Sequence, residues 1–283
     1  MGRRQLWRRL RTHEIPAAEA MLKRDECLCM NACGRYIMRK ALRGEVWTLH
    51  DEIGELAALI VHSGNGLMPV LHVRDFPPPQ FLRGLFGKIP INSLQGKQDD
   101  VARMETKMEK MGLFASEKID FDVMCIDRQP DTVQYTGPAG LVIRKPQLAD
   151  MENLVALHAA YEKEEVLSTG RELNLFASRM NTRQIFTDQQ MLVAEFNGRL
   201  IGKINTNAVT FTRYQVGGVY VHPEYRGLRI AQKMASKFIA DLVAQGRGIS
   251  LFVKKSNAAA QNVYLNIGFE TIGDYRINYY NRG

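Results

Sequence analysis

Along residues 140–283 the apolar positions switch between the period of two that marks strands and the period near four that marks helices. "GLVIRK" reads as a short strand, and a helix follows from near Asp150 with the stripe Leu154, Leu157 and Tyr161. "ELNLFASRMNTRQIF" is a second helical stretch. "MLVAEF" and "RLIGKINTNAV" flank Asn197-Gly198, the strongest short hairpin signal. "RYQVGGVYV" gives another strand, and Ile230, Met234, Phe238 and Leu242 then repeat every four residues. "GISLFVKK" is a strand, "SNAAAQNVYLNIGF" a helix stopped by Gly268, and "ETIGDYRINYY" supplies the last strand segments. The order β-α-α-β-β-β-α-β-α-β-β predicts a mixed α/β layout around one sheet.

Residues 14–126 show a related order. A helix at about 17–42 precedes strands at "VWTLH", "LAALIVH" and "MPVLHV". A helix at "PQFLRGLF", a strand at "IPINSLQG", a helix at "DDVARMETKMEKMG" and a strand at "KIDFDVMCID" complete it. Between the halves, "DRQPDTVQYTGPAG" is polar and rich in proline and glycine, which predicts a linker over 127–139. The expected organisation is a basic segment 1–13, a domain 14–126, the linker and a domain 140–283.

Composition narrows the classes. The chain has 283 residues, 45% of them hydrophobic, enough for two cores. The apolar run "LAALIV" is too short to span a bilayer, and the basic N-terminus has no apolar segment of the secretory kind. A cytoplasmic setting with no membrane partner is expected. The net charge of +8 suits an anionic ligand and is not by itself a reason to expect nucleic acid. The arginines before Thr12 read as a frayed or helical solvated terminus. Cys27, Cys29 and Cys33 sit in "CLCMNAC", but Leu22, Cys29, Cys33 and Ile37 keep helical spacing. No histidine or second cysteine pair lies at zinc-like spacing, so core packing is expected and no metal.

The chemistry concentrates in "VYVHPEYRGLRIAQKM", 219–234, where a strand runs through Arg-Gly into a helix. Unpaired N–H groups at a helix start carry partial positive charge and bind phosphate. Arg226 adds a full charge and Gly227 permits close backbone approach. A plain surface turn is the other reading of this stretch alone. On the next helix Asn257, Ala260 and Tyr264 share one face. The bland reading of Tyr264 is a core aromatic.

Together these residues resemble the GNAT N-acyltransferase superfamily. Its phosphate motif, Gln/Arg-x-x-Gly-x-Gly/Ala, corresponds to Arg226-Gly227-Leu228-Arg229-Ile230-Ala231, and its second signature to Asn257, Tyr264, Gly268 and Phe269. The resemblance covers roughly 139–283. It implies tandem GNAT-like domains, each a mixed, mostly antiparallel sheet flanked by helices. The first is degenerate: Pro77, Pro78 and Pro79 deny its turn the N–H donors, and the tyrosine position holds Met108. The first domain is expected to complete a cleft or to pack as a pseudo-dimer within the chain, with an independent ligand-binding domain as the alternative. The resemblance further implies an acetyl-CoA-dependent transfer to an amine by direct attack. Val219, Tyr220 and Val221 would border the pantetheine, residues 226–231 and Asn257 would hold the cofactor, and Tyr264 would protonate the thiolate. Where the family has Gly, this chain has Arg229, expected to present its N–H from an ordinary helical conformation. Where some members place a strand glutamate, this chain has Gln215. Glu164 and Glu165, in phase with Tyr161 if the first helix continues, are the candidate bases, beside Glu162 and a water-mediated route. The acceptor is a small-molecule or peptide amine. The alternative is a non-catalytic acyl-CoA-binding sensor or interaction module, and a third reading, from charge alone, is an RNA-directed protein.

Overall fold

A computed structural model describes residues 7–38, 46–73, 79–86, 91–130, 138–167 and 172–280. The chain divides into two compact units, one of Met1–Val123 with Ile272–Gly283 and one of Met124–Thr271. The expected boundaries of 14–126 and 140–283 do not coincide with these units, because the end of the chain packs in the first. The expected linker segment 131–137, with Pro77 and Pro78, lies outside the described residues.

The first unit opens with β1 (Arg8–Arg9), α1 (Ile15–Arg24) and α2 (Met30–Met38). β2 (Val46–His50), β3 (Leu56–Ser63) and β4 (Gly66–Leu71) follow, then α3 (Pro79–Phe86), β5 (Ser93–Lys97), α4 (Gln98–Glu109) and β6 (Glu117–Ile126), whose residues from Met124 onward belong to the second unit. Two expectations are corrected here. The single helix over 17–42 is broken at residues 25–29, where a 3₁₀ turn, Glu26–Leu28, re-aims the chain so that both pieces bury their stripes. Residues 7–14 are not frayed: Trp7 stacks on Phe81 at 5.3 Å, Arg8 pairs with Thr48 in the sheet, and its guanidinium meets buried Glu14 at 2.5 Å. Phe81 and Thr48 lie far from Trp7 and Arg8 in sequence, so periodicity could not show these contacts. Cys29 and Cys33 are buried, their sulfurs 3.4 Å apart.

The strands of this unit run in the order β1-β2-β3-β4-β5-β12, where β12 (Glu270–Tyr279) contributes its residues from Ile272 onward. Tyr275 to Tyr279 pair antiparallel with Lys97 to Ser93. Fully buried Tyr275 donates to Gln95 at 3.1 Å and accepts from Asn31 at 3.0 Å, while Arg276 grips Asp120 at 2.6 and 2.9 Å. β4 and β5 are parallel over Gly66–Leu67 against Ser93–Leu94. Beyond them the amide of Leu71 donates to the buried carboxylate of Asp100 on α4 at 3.1 Å. Leu67, Leu82, Leu94, Val101, Met104 and Met108 pack the core.

The second unit contains β7 (Leu141–Arg144), α5 (Met151–Tyr161), α6 (Leu175–Asp188), β8 (Met191–Phe196), β9 (Arg199–Val209), β10 (Arg213–Val221), α7 (Ile230–Val243), β11 (Gly248–Lys254) and α8 (Ala258–Leu265). Its strand order is β11-β10-β9-β8-β7, antiparallel except for β10 with β11. The β8–β9 hairpin turns at Asn197 and Gly198, both at positive φ (49° and 79°), as its sequence predicts. One sheet face packs α7 through Ile230, Met234, Phe238 and Leu242; the other packs α5 through Leu154 and Leu157. No helix is long and apolar enough to cross a membrane among the described residues.

Deleting 272–283 should leave the first unit unfolded, because it removes a paired strand and fully buried Tyr275 from a domain of ordinary stability, about 5–15 kcal/mol. Loss of its cooperative thermal transition checks this, and an unchanged transition refutes it. Burial raises the Asp100 pKa to about 6, so the folded state holds extra proton between the unfolded value and 6. Stability from this group therefore rises as pH falls through 6. Asp100→Asn should be more stable than the parent at pH 7 by roughly 1–3 kcal/mol, and the difference should fade towards pH 4 in urea melts.

Candidate functional site

The site begins where β10 leaves β11. The two strands pair from Arg213–Val216 against Gly248–Leu251, and from Gly217 onward β10 forms no pair with β11. Gly217 and Gly218 allow this departure. Gly218 has φ +58°, and the register of β10 on β9 slips between Gly217 and Tyr220. A Cβ at Gly218 would stand 2.1 Å from Asn205 Oδ1 and 2.9 Å from Lys203 Nζ, so only glycine fits.

Lys203 secures the bulge from β9. Its ammonium is 1% exposed and donates to the Gly218 carbonyl at 2.8 Å and to Asn205 Oδ1 at 3.0 Å. It also lies 4.6 Å from the centre of the Tyr161 ring. Burial pushes its pKa down to about 7, opposed by Glu162. Burial, then Lys203, lowers that of His158 to about 4, so this imidazole is neutral at neutral pH. Burial raises the Tyr161 hydroxyl to about 12, with Glu165 adding to it and the Gly218 amide opposing.

The segment after β10 forms a cradle. Gly227 sits at φ +79° and Arg229 at φ +56°, ψ 20°, as the residue capping α7. Arg229 is therefore left-handed, not in the ordinary helical conformation expected. The position suits glycine, and a side chain there costs roughly 1–2 kcal/mol. Ile230 buries its side chain in the core, Ala231 is half-buried, and Leu228 and Arg229 are exposed. The first N–H of α7 with a helical acceptor is that of Lys233, bonded to Arg229 O at 3.0 Å. The N–H groups of Gly227 to Gln232 have no protein acceptor among the described residues. This is a row of donors at the positive end of a helix, suited to a phosphate.

Arg226 does not extend freely beside that row. Its Nε donates to Val221 O at 3.0 Å, its Nη2 to Glu164 at 2.8 Å, and it lies over the Tyr220 ring at 5.6 Å. Tyr220 itself packs inward against α5, and Val219 is half-buried. Glu164 and Glu165 do not continue α5 in phase. Residues Glu162–Val166 form a π-helical turn, whose wider step rotates them off the Leu154–Tyr161 stripe. The rotation brings both carboxylates to the motif residues: Glu164 to Arg226, and Glu165 to Lys254 and Asn257, each at 3.4 Å. Asn257 also caps α8 by accepting from the Ala260 amide at 3.0 Å. Tyr264 is buried and packs edge-on against Phe269 at 5.5 Å. Burial, then Tyr161 and Glu165, raises its pKa well above the ordinary tyrosine value. Among the described residues no cluster of three or more His, Cys, Asp or Glu could hold a metal ion.

Sequence reasoning passed over Lys203, Asn205 and Asn207. The available signal was their alternation, polar at every second position of "KINTN" inside an otherwise apolar strand.

Residues 154–269 match the sequence model of the Acetyltransferase (GNAT) family. A Pectobacterium atrosepticum protein named acetyltransferase is 33% identical over 84 residues, covering 29% of this chain and 57% of the relative. A Yersinia pestis protein named uncharacterized N-acetyltransferase is 31% identical over 83 residues, with 28% and 57% covered. The chain thus spans little more than half the length of these relatives. Two solved structures share the fold across nearly the whole chain. A GCN5-related N-acetyltransferase from Sphaerobacter thermophilus has a TM-score of 0.63 at 18% identity, covering 97% of this chain and 94% of that one. A tandem GNAT protein from the clavulanic acid biosynthesis pathway has a TM-score of 0.58 at 14% identity, covering 99% of both. Residues 154–269 thus carry the sequence pattern of the Acetyltransferase (GNAT) family, within a chain that shares the fold of a tandem GNAT protein.

Proposed function

We propose that the second unit is an acetyl-CoA-dependent N-acetyltransferase that moves the acetyl group to an amine by direct attack. The observation that carries this reading is the row of unpaired N–H groups, Gly227 to Gln232, placed directly after the strand that has parted from β11. The row takes the pyrophosphate of acetyl-CoA, and the gap beside Val219, Tyr220 and Val221 takes the pantetheine arm and thioester. Asn257 holds the start of α8 along that arm. The amine lone pair forms the new C–N bond, and the C–S bond breaks with its electron pair on sulfur. Tyr264, held protonated by its raised pKa, gives the thiolate a proton. The proton lost by the amine passes to Glu165, whose contacts at 3.4 Å are looser than the 2.8 Å grip of Arg226 on Glu164. Glu164 thereby anchors the turn that carries Glu165.

In the first unit the amide of Leu71, past the last β4–β5 pair, is already taken by Asp100, which supports a degenerate companion that does not bind acetyl-CoA. Cys29 and Cys33 keep their sulfurs 3.4 Å apart without a disulfide, which suits a reducing setting such as the cytoplasm. A binding module without turnover would keep the cradle and show no dependence on Tyr264.

Arg229→Glu should separate binding from folding. A carboxylate at a helix start is favourable to the helix but repels the pyrophosphate, so acetyl-CoA affinity should drop at least about tenfold with Tm held. Calorimetry that finds affinity unchanged removes the cradle from the mechanism. Tyr264→Phe should lower kcat by roughly 10²–10³ while the acetyl-CoA Kd moves less than about threefold. A collapse of affinity and Tm together would instead mark Tyr264 as a packing residue.

A further inference from the structure

Beside the strand gap the side chains of β9 form a hydrogen-bond chain with a fixed direction. Lys203 Nζ donates to Asn205 Oδ1 at 3.0 Å, and Asn205 Nδ2 donates both to Thr206 O and to Asn207 Oδ1, each at 3.0 Å. An amine side chain at one end and a backbone carbonyl at the other leave Asn205 one orientation. Even without its extra proton Lys203 keeps the two N–H groups that these contacts use. Asn205 in turn dictates Asn207, whose Oδ1 is consumed and whose Nδ2 is left as a donor.

That donor stands over the gap. Nδ2 of Asn207 lies where a Cβ of Gly217 would be, 2.1 Å from that position, and Gly217 is the first residue past the last β10–β11 pair. Asn207 is exposed and its Nδ2 has no protein acceptor among the described residues. On the same side of β10, two residues back, Gln215 is 4% exposed and its Oε1 is buried with no hydrogen-bond partner among the described residues. A buried carbonyl oxygen left unpaired costs free energy that a donor from a ligand removes. The face therefore offers one donor and one acceptor side by side.

Resting on the transferase reading above, we propose that the acceptor substrate is an α-amino carbonyl unit, the group shared by free amino acids and peptide N-termini. Asn207 Nδ2 donates to the carbonyl or carboxylate oxygen, and Gln215 Oε1 accepts from the amine that attacks the thioester. A simple alkylamine satisfies Gln215 but leaves the Asn207 donor unmatched.

The test is acetyl transfer by the full chain, followed as thiol release, with glycine, glycinamide and glycylglycine against ethylamine and n-butylamine. The carbonyl-bearing acceptors should show kcat/KM about tenfold higher, the order expected of one added hydrogen bond to an acceptor oxygen. Glycine against glycylglycine separates the free amino acid from the peptide terminus. Asn207→Asp replaces the exposed donor with an acceptor at constant shape. It should lower kcat/KM for glycinamide at least about tenfold, mostly through KM, and leave the alkylamines and the acetyl-CoA Kd unchanged. Equal use of alkylamines, no effect of Asn207→Asp, or acetyl-CoA binding with none of these acceptors turned over would each overturn the proposal. Failure of the parent protein to bind acetyl-CoA in calorimetry would instead overturn the transferase reading, and this inference with it.

Discussion

The hydrogen bond from Lys203 to the Gly218 carbonyl, 2.8 Å long and buried, holds the irregularity on which the second unit is organised. A parallel pair of strands would otherwise continue, since unpaired backbone inside a sheet is unfavourable. The bulge spends its extra residue at Gly218 and turns β10 away from β11. Burying an ammonium there is costly, which is why its pKa falls to about 7. Two oxygen acceptors and the Tyr161 ring offset that cost. Substituting any partner would therefore act on the bulge before it acted on stability at large.

The gap and the cradle are coupled through the same strand. β10 ends at Val221, whose carbonyl receives Arg226, and Arg226 holds Glu164 on the π-helical turn that follows α5. Ile230 buries its side chain while the backbone around it leaves its N–H groups outward. Arg229 carries left-handed strain at this point. Strain of that kind persists only where the surroundings fix it, and here the buried Ile230 and the left-handed Gly227 bracket it.

The first unit has its own parallel pair of strands, β4 with β5. Asp100 takes the Leu71 amide, and its raised pKa records the price of burying a carboxylate for that contact. Tyr275 and Arg276, from the far end of the chain, complete this unit through Asn31, Gln95 and Asp120. Its core is thus assembled from segments more than a hundred residues apart.

Local chemistry made much of this legible in the sequence. The Asn197-Gly198 hairpin, the strands 199–209 and 213–221, and the strand–Arg-Gly–helix passage each depend on a few adjacent residues whose backbone preferences agree. The Arg226–Ala231 and Asn257–Tyr264 spacings were visible for the same reason. The tertiary structure alone decided the rest. The π-helical turn rotates Glu164 and Glu165 because their cationic partners lie 62 residues away in Arg226 and on β11 in Lys254. Periodicity within α5 carries no information about those partners. The direction of the Lys203–Asn205–Asn207 chain is set by the Gly218 carbonyl across the sheet. The C-terminal strand joins the first unit because the partners of its buried Tyr275, Asn31 and Gln95, lie there. Amphipathic alternation reveals that a segment is a strand and which residues share a face. It does not reveal which edge the strand will join, because that depends on contacts between residues distant in the chain.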